Sequence, residues 1–176
     1  FPQKKLLVLD LDETLIHSTF NESFCDQKVE ILLENTNYTA YVNFRPHLLE
    51  FLQHVQKNWE VVIFSASMQS YCDAIVDLFD PSRQLKRFYR DHCVQRGGVF
   101  VKDLTIFNRA LKEIVLIDDS EYACKFQREN AIQCPQFFWD KADRWLLEVL
   151  GRLDELAACA DVVEGLKRGV ARDLLV

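Results

Sequence analysis

The sequence predicts an α/β fold in which a mostly parallel β-sheet is flanked by helices. Three short apolar runs, at 6–9, 61–64 and 114–117, each end abruptly in polar residues, as is typical of strands that are buried on both faces. Segments with helical spacing of apolar residues lie between these runs, and strands that alternate with helices indicate βαβ units. The sequence therefore indicates an open sheet with polar residues at its carboxyl edge, where such folds bind ligands.

Helices are predicted from apolar spacing and from residues that begin or end them. Pro46 suits a first helical turn, and apolar residues within 48–55 recur at i, i+3, i+4 and i+7. A second apolar stripe covers 71–79. Further helices are predicted within about 141–170, the last of them beginning at Asp161 in a sequence that resembles a capping box.

Two segments interrupt this alternation. Residues 28–44 have the pattern of two strands around a turn at 34–37, which predicts a small β insertion after the first strand. Residues 88–101 have the pattern of a hairpin that turns at Gly97-Gly98. Neither segment is large enough to form a separate lid, so we expect a single domain over 1–176 without a cap domain.

The composition excludes several classes of protein. A net charge of −6 argues against direct nucleic-acid binding, which requires a basic surface. Six irregularly spaced cysteines with no C-x-x-C pair fit reduced thiols, and so an intracellular protein of the nucleus or cytoplasm. No apolar run approaches the roughly 18 residues of a membrane span. No feature of the sequence indicates an obligate dimer, so we expect a monomer.

The charge is nevertheless uneven along the chain. Between Arg83 and Lys102 the sequence has six basic residues and one acidic residue, Asp91. This basic stretch predicts a surface that recognises a phosphorylated or acidic protein segment.

Carboxylates follow two of the predicted core strands. Asp10 and Asp12 come directly after the first strand, and Asp118 and Asp119 end the run that begins at residue 114. The carboxyl ends of neighbouring parallel strands meet at one edge, so these side chains should converge. Carboxylates about 4 Å apart repel by roughly 4 kcal/mol per pair at an effective dielectric near 20, so a cation is needed among them. Hard oxygen ligands favour Mg²⁺.

Such a site suits phosphoryl transfer. Asp10 is predicted to be the nucleophile that forms an aspartyl-phosphate, and Asp12 the general acid and base. Ser65, after the second core strand, can donate its hydroxyl to a phosphate oxygen, and Lys102 can supply a point charge. Ala66 begins the segment that leads into the next helix, whose first amides would face the phosphate.

These residues make a recognisable set of motifs. In the order of these motifs, the chain resembles the haloacid dehalogenase superfamily and, within that superfamily, the FCP/SCP group of small C-terminal-domain phosphatases. The resemblance runs from about Leu6 to about Trp139 and includes Arg45-Pro46. It implies a Rossmann-like sheet, and its four motifs are Asp10-Leu-Asp-Glu-Thr14, Phe64-Ser-Ala-Ser67, Val101-Lys-Asp-Leu104 and Ile117-Asp-Asp-Ser120.

The resemblance also implies roles for individual residues. It implies that Mg²⁺ is held by Asp10, by the backbone carbonyl of Asp12 and by Asp119, with Asp118 positioning a water bound to the metal. Phosphate contacts are implied for Ser65 and Lys102, and substrate contacts for Arg90 and Tyr71. Phe20 is the nearest match to an aromatic residue that helps to form an apolar pocket in these phosphatases.

Three positions depart from the pattern of the group. Ser65 stands where the group usually has threonine, a change that keeps the hydroxyl. Asp119 stands where these phosphatases usually have asparagine, which adds a negative charge at the metal. Glu121 stands where a proline usually follows the motif.

The sequence therefore predicts a Mg²⁺-dependent phosphatase for phosphoserine or phosphothreonine in a protein or peptide, such as the tail repeats of RNA polymerase II. A capless phosphatase of small metabolites is the first alternative. The second is a non-catalytic binding module that resembles the phosphatase-like receptor of mitochondrial protein import. The presence of both Asp10 and Asp12 favours an enzyme.

Overall fold

The structure is a computed structural model that describes residues 3–173, with side chains up to residue 169. Within this range the strands are β1 (Lys5–Leu9), β2 (Ile16–Thr19), β3 (Gln27–Leu33), β4 (Thr36–Phe44), β5 (Trp59–Phe64), β6 (Lys86–Phe88), β7 (Val94–Arg96), β8 (Val99–Val101), β9 (Ile114–Asp118) and β10 (Ala131–Gln133). The α-helices are α1 (Leu48–Val55), α2 (Gln69–Val76), α3 (Trp145–Glu148), α4 (Leu150–Ala158) and α5 (Val162–Asp173).

Five parallel strands form the central sheet, in the order β10-β9-β1-β5-β6. Strand β1 is central, and its last residue, Leu9, is in register with Ile63 of β5 and Ile117 of β9. The chain builds the sheet outward from β1 to β6 and then returns to the other side of β1 at β9. The strand order thus reverses beside β1, which is where open α/β sheets form a ligand crevice.

Alternate residues of the core strands serve two different hydrophobic clusters. Leu7 and Leu9 of β1 pack in the larger cluster, which contains buried apolar residues from all five helices. Leu6 and Val8 face the opposite side, where Leu104 helps to cover the sheet. The helices therefore flank one face of the sheet, and 3₁₀ turns such as 104–107 contribute to the cover of the other. This period-2 division explains why β1 is apolar at every position after Lys5.

The β insertion is a three-stranded antiparallel sheet in the order β2-β4-β3. The hairpin formed by β3 and β4 turns at Glu34 and Asn35, both of which have positive φ angles. The two strands predicted within 28–44 are confirmed, and β2 is an additional partner that pairs Ile16 with Phe44. The insertion and the β7–β8 hairpin, with Gly97 and Gly98 at its turn, are the additions to the central sheet within the described residues.

Some elements differ from the sequence-based expectation. Strands β6 and β10 were not predicted because each has three residues at an edge of the sheet, and neither contains a run of buried apolar residues. Helix α2 ends at Val76, and a turn follows. His47, with a φ of 67°, precedes α1, so Pro46 lies before the first helical turn. The hairpin covers 94–101 because the earlier residues join the central sheet and a 3₁₀ turn.

A buried arginine ties the first loop to the C-terminal part of the chain. Arg45 donates to both carboxylate oxygens of Asp143, at 2.9 and 2.8 Å. It also donates to the carbonyl oxygens of Thr14 and Pro135, at 3.1 and 3.0 Å. Its guanidinium lies over the ring of Trp145, 5.0 Å from the centroid. These contacts fix the loop that follows β1.

Two further expectations concern cysteines and membranes. All six cysteines are free thiols, as their irregular spacing predicted. None of the helices within residues 3–173 is both long enough and apolar enough to span a bilayer.

Candidate active site

The carboxyl ends of three adjacent strands form the floor of a cleft. Asp10 follows β1, Ser65 follows β5 and Asp118 ends β9. The amide of Asp10 donates to the carbonyl oxygen of Ile117 at 3.0 Å, which continues the strand pairing to the edge of the site. The cleft has a volume of about 650 Å³. The structure therefore brings together residues separated by more than a hundred positions, as the predicted sheet requires.

Lys102 bridges the two carboxylates at the centre. Its Nζ donates to Asp10 Oδ1 at 2.5 Å and to Asp118 Oδ2 at 2.6 Å. The other oxygen of Asp10 accepts a hydrogen bond from the Thr14 hydroxyl at 2.8 Å. Both oxygens of Asp10 are thereby oriented, and the orientation is set by buried groups.

Burial and charge act against each other in this cluster. Burial disfavours the charged ammonium of Lys102, but Asp10 and Asp118 outweigh that effect and raise its pKa above the ordinary value. Burial and the nearby charge of Asp10 raise the pKa of Asp118 above its ordinary value, although Lys102 opposes this shift. The site is thus short of positive charge even with Lys102 fully buried in it.

Asp12 is held by a separate set of donors. The Tyr71 hydroxyl donates to Asp12 Oδ1, and the Ser67 hydroxyl donates to Oδ2 at 3.0 Å. Burial raises the pKa of Asp12 to about 6, against the hydrogen bond from Tyr71, which lowers it. The two aspartates of the motif, Asp10 and Asp12, therefore occupy different environments. Different environments are what distinct roles as nucleophile and proton carrier require.

The donor set fits a divalent metal ion of the Mg²⁺ type. One carboxylate oxygen each from Asp10, Asp118 and Asp119 lies within 4.8 Å of the others. Glu13 lies in the same cleft, and burial together with repulsion from Asp12 and Asp119 raises its pKa to about 8. Hard carboxylate oxygens in excess over cations are the environment in which Mg²⁺ binds. The backbone-carbonyl contact of Asp12 with the metal stays a prediction.

Of the predicted phosphate-binding residues, Ala66, Arg90 and Lys102 line the cleft, whereas Ser65 is not among the residues that line it. Ser65 is fully buried, and its hydroxyl accepts a hydrogen bond from the Ser67 amide at 3.0 Å. The carbonyl oxygen of Ala66 accepts a hydrogen bond from Arg90 Nε at 2.8 Å. The guanidinium of Arg90 also lies over Phe100, 4.9 Å from the ring centroid. Arg90 is therefore fixed at the cleft by its Nε and its flat face.

The predicted substrate residues Tyr71 and Phe20 also line the cleft. The Tyr71 hydroxyl is hydrogen-bonded to Asp12 and lies 2.5 Å from the Ser18 hydroxyl. The ring of Phe20 is 46% exposed and contacts the rings of Tyr38 and Tyr71. Contacts of Tyr71, Phe20, Arg90 and the other site residues with a substrate remain predictions.

Three of the six basic residues at 83–102 form ion pairs within the fold instead of the substrate surface that the composition suggested. Arg83 pairs with Asp77, and Lys86 pairs with Glu60. Arg87 is almost completely buried and contacts three carboxylates on or after α2, those of Asp73, Asp77 and Asp80. These ion pairs neutralise much of the local charge, and within this stretch Arg90 and Lys102 are the basic residues that line the cleft.

The sequence analysis missed several residues beside the predicted site residues, among them Gln136, whose side-chain amide donates to Asp119 Oδ2 at 2.9 Å. Thr14 and Glu13 lie inside the first motif, so their position next to Asp12 was the available signal. Ser67 ends the second motif and gave a similar signal. Ser18 contacts Tyr71 because β2 lies beside the cleft, and no local pattern in the sequence shows this.

The strand-end aspartates, the lysine that bridges them and the second aspartate at Asp12 define a phosphatase domain of the haloacid dehalogenase type. The model of the family described as NLI interacting factor-like phosphatase matches residues 5–163. The chain belongs to this family.

Curated relatives agree with the family match. A "Probable C-terminal domain small phosphatase" of Dictyostelium discoideum is 40% identical over 163 residues, covering 90% of this chain and 52% of that protein. "CTD nuclear envelope phosphatase 1" of Xenopus tropicalis is 36% identical over 179 residues, covering 96% of this chain and 73% of that protein. The chain spans about half the length of the first of these relatives.

A solved structure supports the fold. The structure titled "The Structure of Fcp1, an essential RNA polymerase II CTD phosphatase" matches with a TM-score of 0.66 and 20% identity, covering 87% of this chain and 48% of that one. This similarity confirms the Rossmann-like haloacid dehalogenase fold that the motifs predicted.

Proposed function

We propose that this chain is a Mg²⁺-dependent phosphatase of phosphoserine or phosphothreonine in proteins, acting through a phospho-aspartate intermediate. The observation that supports this most strongly is the Lys102 bridge between Asp10 and Asp118. It places an oriented carboxylate at the end of the central strand, with a fixed positive charge beside it. A second carboxyl group, that of Asp12, is held separately nearby.

In the first step, a carboxylate oxygen of Asp10 attacks phosphorus and the bond from phosphorus to the seryl oxygen breaks. The leaving oxygen takes a proton from the carboxyl group of Asp12. The phosphoryl group is then bonded to Asp10. Lys102 and the Ser65 hydroxyl supply positive charge and a hydrogen bond to the phosphoryl oxygens.

In the second step, water attacks the phosphorus of the phospho-aspartate. Asp12, now ionised, accepts a proton from this water, and the bond from phosphorus to Asp10 breaks. Inorganic phosphate leaves, and both aspartates return to their starting forms. When it is bound, Mg²⁺ supplies charge neutralisation for the phosphoryl oxygens. The residues that would hold it are Asp10, Asp119 and the backbone carbonyl of Asp12, with Asp118 beside them.

An open cleft supports a protein substrate. The additions to the central sheet in the described residues are a small β insertion and a short hairpin, and neither encloses the cleft as a cap domain would. The relatives whose names describe C-terminal-domain phosphatases support a phosphorylated protein segment as substrate. The tail repeats of RNA polymerase II, which the sequence resemblance suggests, are our candidate for that segment. We further propose that the chain works as a monomer inside the cell, in the nucleus or cytoplasm.

Hydrolysis of p-nitrophenyl phosphate tests the mechanism. The wild-type chain should turn over with Mg²⁺ and stop with a chelator, and Asp10→Asn should lose at least about a thousandfold in kcat because it removes the nucleophile. Ser70→Ala, at an exposed position on α2, is the matched control and should keep wild-type activity. Undiminished turnover by Asp10→Asn would refute the mechanism, and an inactive wild-type chain would favour a binding module.

A substrate panel tests the class of substrate. Phosphoserine peptides, sugar phosphates and nucleotides are compared by kcat/KM. The proposal expects the best peptide to exceed the best metabolite. Peptide turnover no faster than that of a sugar phosphate would favour the alternative of a metabolite phosphatase.

A further inference from the structure

We propose that Ser67 is a positioning residue that orients the carboxyl group of Asp12 toward the leaving oxygen of the substrate. The inference rests on the proposed function, because it assigns Ser67 a part in the proton transfer that Asp12 performs there. The juxtaposition behind it is the 3.0 Å hydrogen bond from the Ser67 hydroxyl to Asp12 Oδ2, across 55 positions of the chain.

The backbone of Ser67 is fixed on both sides. Its amide donates to the Ser65 hydroxyl at 3.0 Å, and its carbonyl oxygen accepts the amide of Arg90 at 3.0 Å. Ser67 is therefore anchored to the end of β5 and to the segment that carries Arg90. A side chain on so constrained a backbone can hold its partner in one orientation at a small entropic cost.

The number of hydroxyl protons near Asp12 determines which group donates in each hydrogen bond. Tyr71 has a single hydroxyl proton and donates it to Asp12 Oδ1. In the 2.5 Å contact between Tyr71 and Ser18, Ser18 is therefore the donor. Ser67 donates to the remaining oxygen, Oδ2. The carboxyl group is held at two points, so a turn of the carboxyl plane breaks both hydrogen bonds.

Removal of the Ser67 hydroxyl leaves Asp12 held through one oxygen. The carboxyl plane can then turn, and proton transfer depends on its lying within hydrogen-bond reach of the leaving oxygen. The loss should be large for an alkyl oxygen, which needs the proton in order to leave. It should be small for p-nitrophenolate, which leaves readily without one.

A purely structural role for the Ser67 side chain predicts something different. Helix α2 begins after Met68, and the helix has no side-chain cap. The Ser67 hydroxyl therefore does not cap α2, and its hydrogen bond to the fold is the one to Asp12. If it merely supported the local fold, its loss would affect all substrates equally.

The experiment compares Ser67→Ala and Ser67→Thr with the wild-type chain and with Ser70→Ala, on a phosphoserine peptide and on p-nitrophenyl phosphate. Ser67→Ala should lower kcat/KM about 10- to 100-fold on the peptide and less than about threefold on the aryl ester. The loss on the peptide is a part of the roughly 10²–10⁴-fold rate increase that general acid catalysis supplies. Ser67→Thr keeps the hydroxyl and should restore most of the peptide activity. Ser70→Ala should match the wild type on both substrates.

The outcomes separate the inference from the proposed function. An equal loss on both substrates, no loss on either, or no rescue by threonine would overturn the role of Ser67 while Asp10→Asn still reports the mechanism. Activity that survives in Asp10→Asn, or its absence from the wild-type chain, would overturn both. Thermal unfolding of each variant shows whether a loss of activity comes from a folding defect. If Ser67→Ala does not fold, Tyr71→Phe, which removes the other donor to Asp12, is the second test and should show the same dependence on the leaving group.

Discussion

Replacement of Arg45 by leucine should destabilise the fold strongly, although Arg45 does not line the cleft. Arg45 is 1% exposed, and its guanidinium makes four hydrogen bonds at 2.8–3.1 Å, two of them to Asp143. Leucine keeps part of the apolar bulk but removes all four side-chain hydrogen bonds and the guanidinium contacts with the rings of Phe137 and Trp145. The carbonyl oxygens of Thr14 and Pro135 then lose this partner.

The loss in the free energy of unfolding depends on how far each former hydrogen-bond partner of Arg45 can bond to water instead. Hydrogen bonds to a charged group contribute about 1.5–3 kcal/mol each, so the two bonds to Asp143 alone would suggest roughly 3–6 kcal/mol. The Asp143 side chain is 16% exposed and regains some water, whereas the Thr14 carbonyl lies beside a fully buried side chain. We therefore expect a loss of about 3–5 kcal/mol, as measured when one partner of a buried ion pair is removed.

Urea unfolding, followed by tryptophan fluorescence, measures this loss. Trp145 lies 5.0 Å from the Arg45 guanidinium and reports on the same contacts. A double-mutant cycle with Asp143→Ala should show a coupling free energy of about 1–3 kcal/mol. Arg144→Leu, at an exposed neighbouring position, is the control and should change stability by less than about 0.5 kcal/mol. A loss below about 1 kcal/mol for Arg45→Leu, or additive effects in the cycle, would refute this reasoning.

Three further predictions concern metal binding, acid stability and helix glycines. Mg²⁺ should raise the melting temperature of the wild-type chain because it binds the folded state, and Asp119→Ala should reduce this increase in a thermal-shift titration. Hydrogen bonds from Arg83 and Arg87, with burial opposing, hold the pKa of Asp77 in the folded protein below its ordinary value of 3.8. The ionised carboxylate therefore stabilises the fold above pH 3.8, and this contribution is lost as the pH falls through the pKa of the folded state. The stability difference between the wild type and Arg83→Met in urea should therefore shrink as pH falls below about 4, and a constant difference would contradict it. Gly151→Ala should stabilise α4 by about 0.5–1 kcal/mol, because a Cβ there meets nothing within 4 Å. Gly165→Ala should not show this gain in the free energy of unfolding in the same denaturation assay, because its Cβ would lie 2.7 Å from the Leu156 side chain and clash with it.

Much of the central sheet could be predicted because its strands are locally distinctive. Strands β1, β5 and β9 are buried on both faces, so an unbroken apolar run marks each of them. Gly97 and Gly98 marked the hairpin because both adopt positive φ. Strands β6 and β10 have no such signal, since short edge strands are defined by pairing with a neighbour that is distant in sequence.

Charge was less predictable than fold. The basic residues near Arg87 suggested a surface for substrate, yet their acidic partners on and after α2 and in β5 are 6 to 26 positions away along the chain. A count of charges along the sequence does not show which pairs meet in space. Lys102 is the contrasting case, since its motif marked it and the structure places it between two aspartates.

The sequence by itself determined the chemistry of the site: two aspartates after a buried strand, a hydroxyl after a second strand and an acidic pair after a third. It did so because parallel strands deliver their carboxyl ends to one edge of a sheet. Only the tertiary structure decided how these groups are oriented. The Lys102 bridge, the two donors on Asp12 and the hydrogen bonds of Arg45 join residues that are 16 to 98 positions apart. Hydrogen bonds at that separation depend on packing, which no local pattern records.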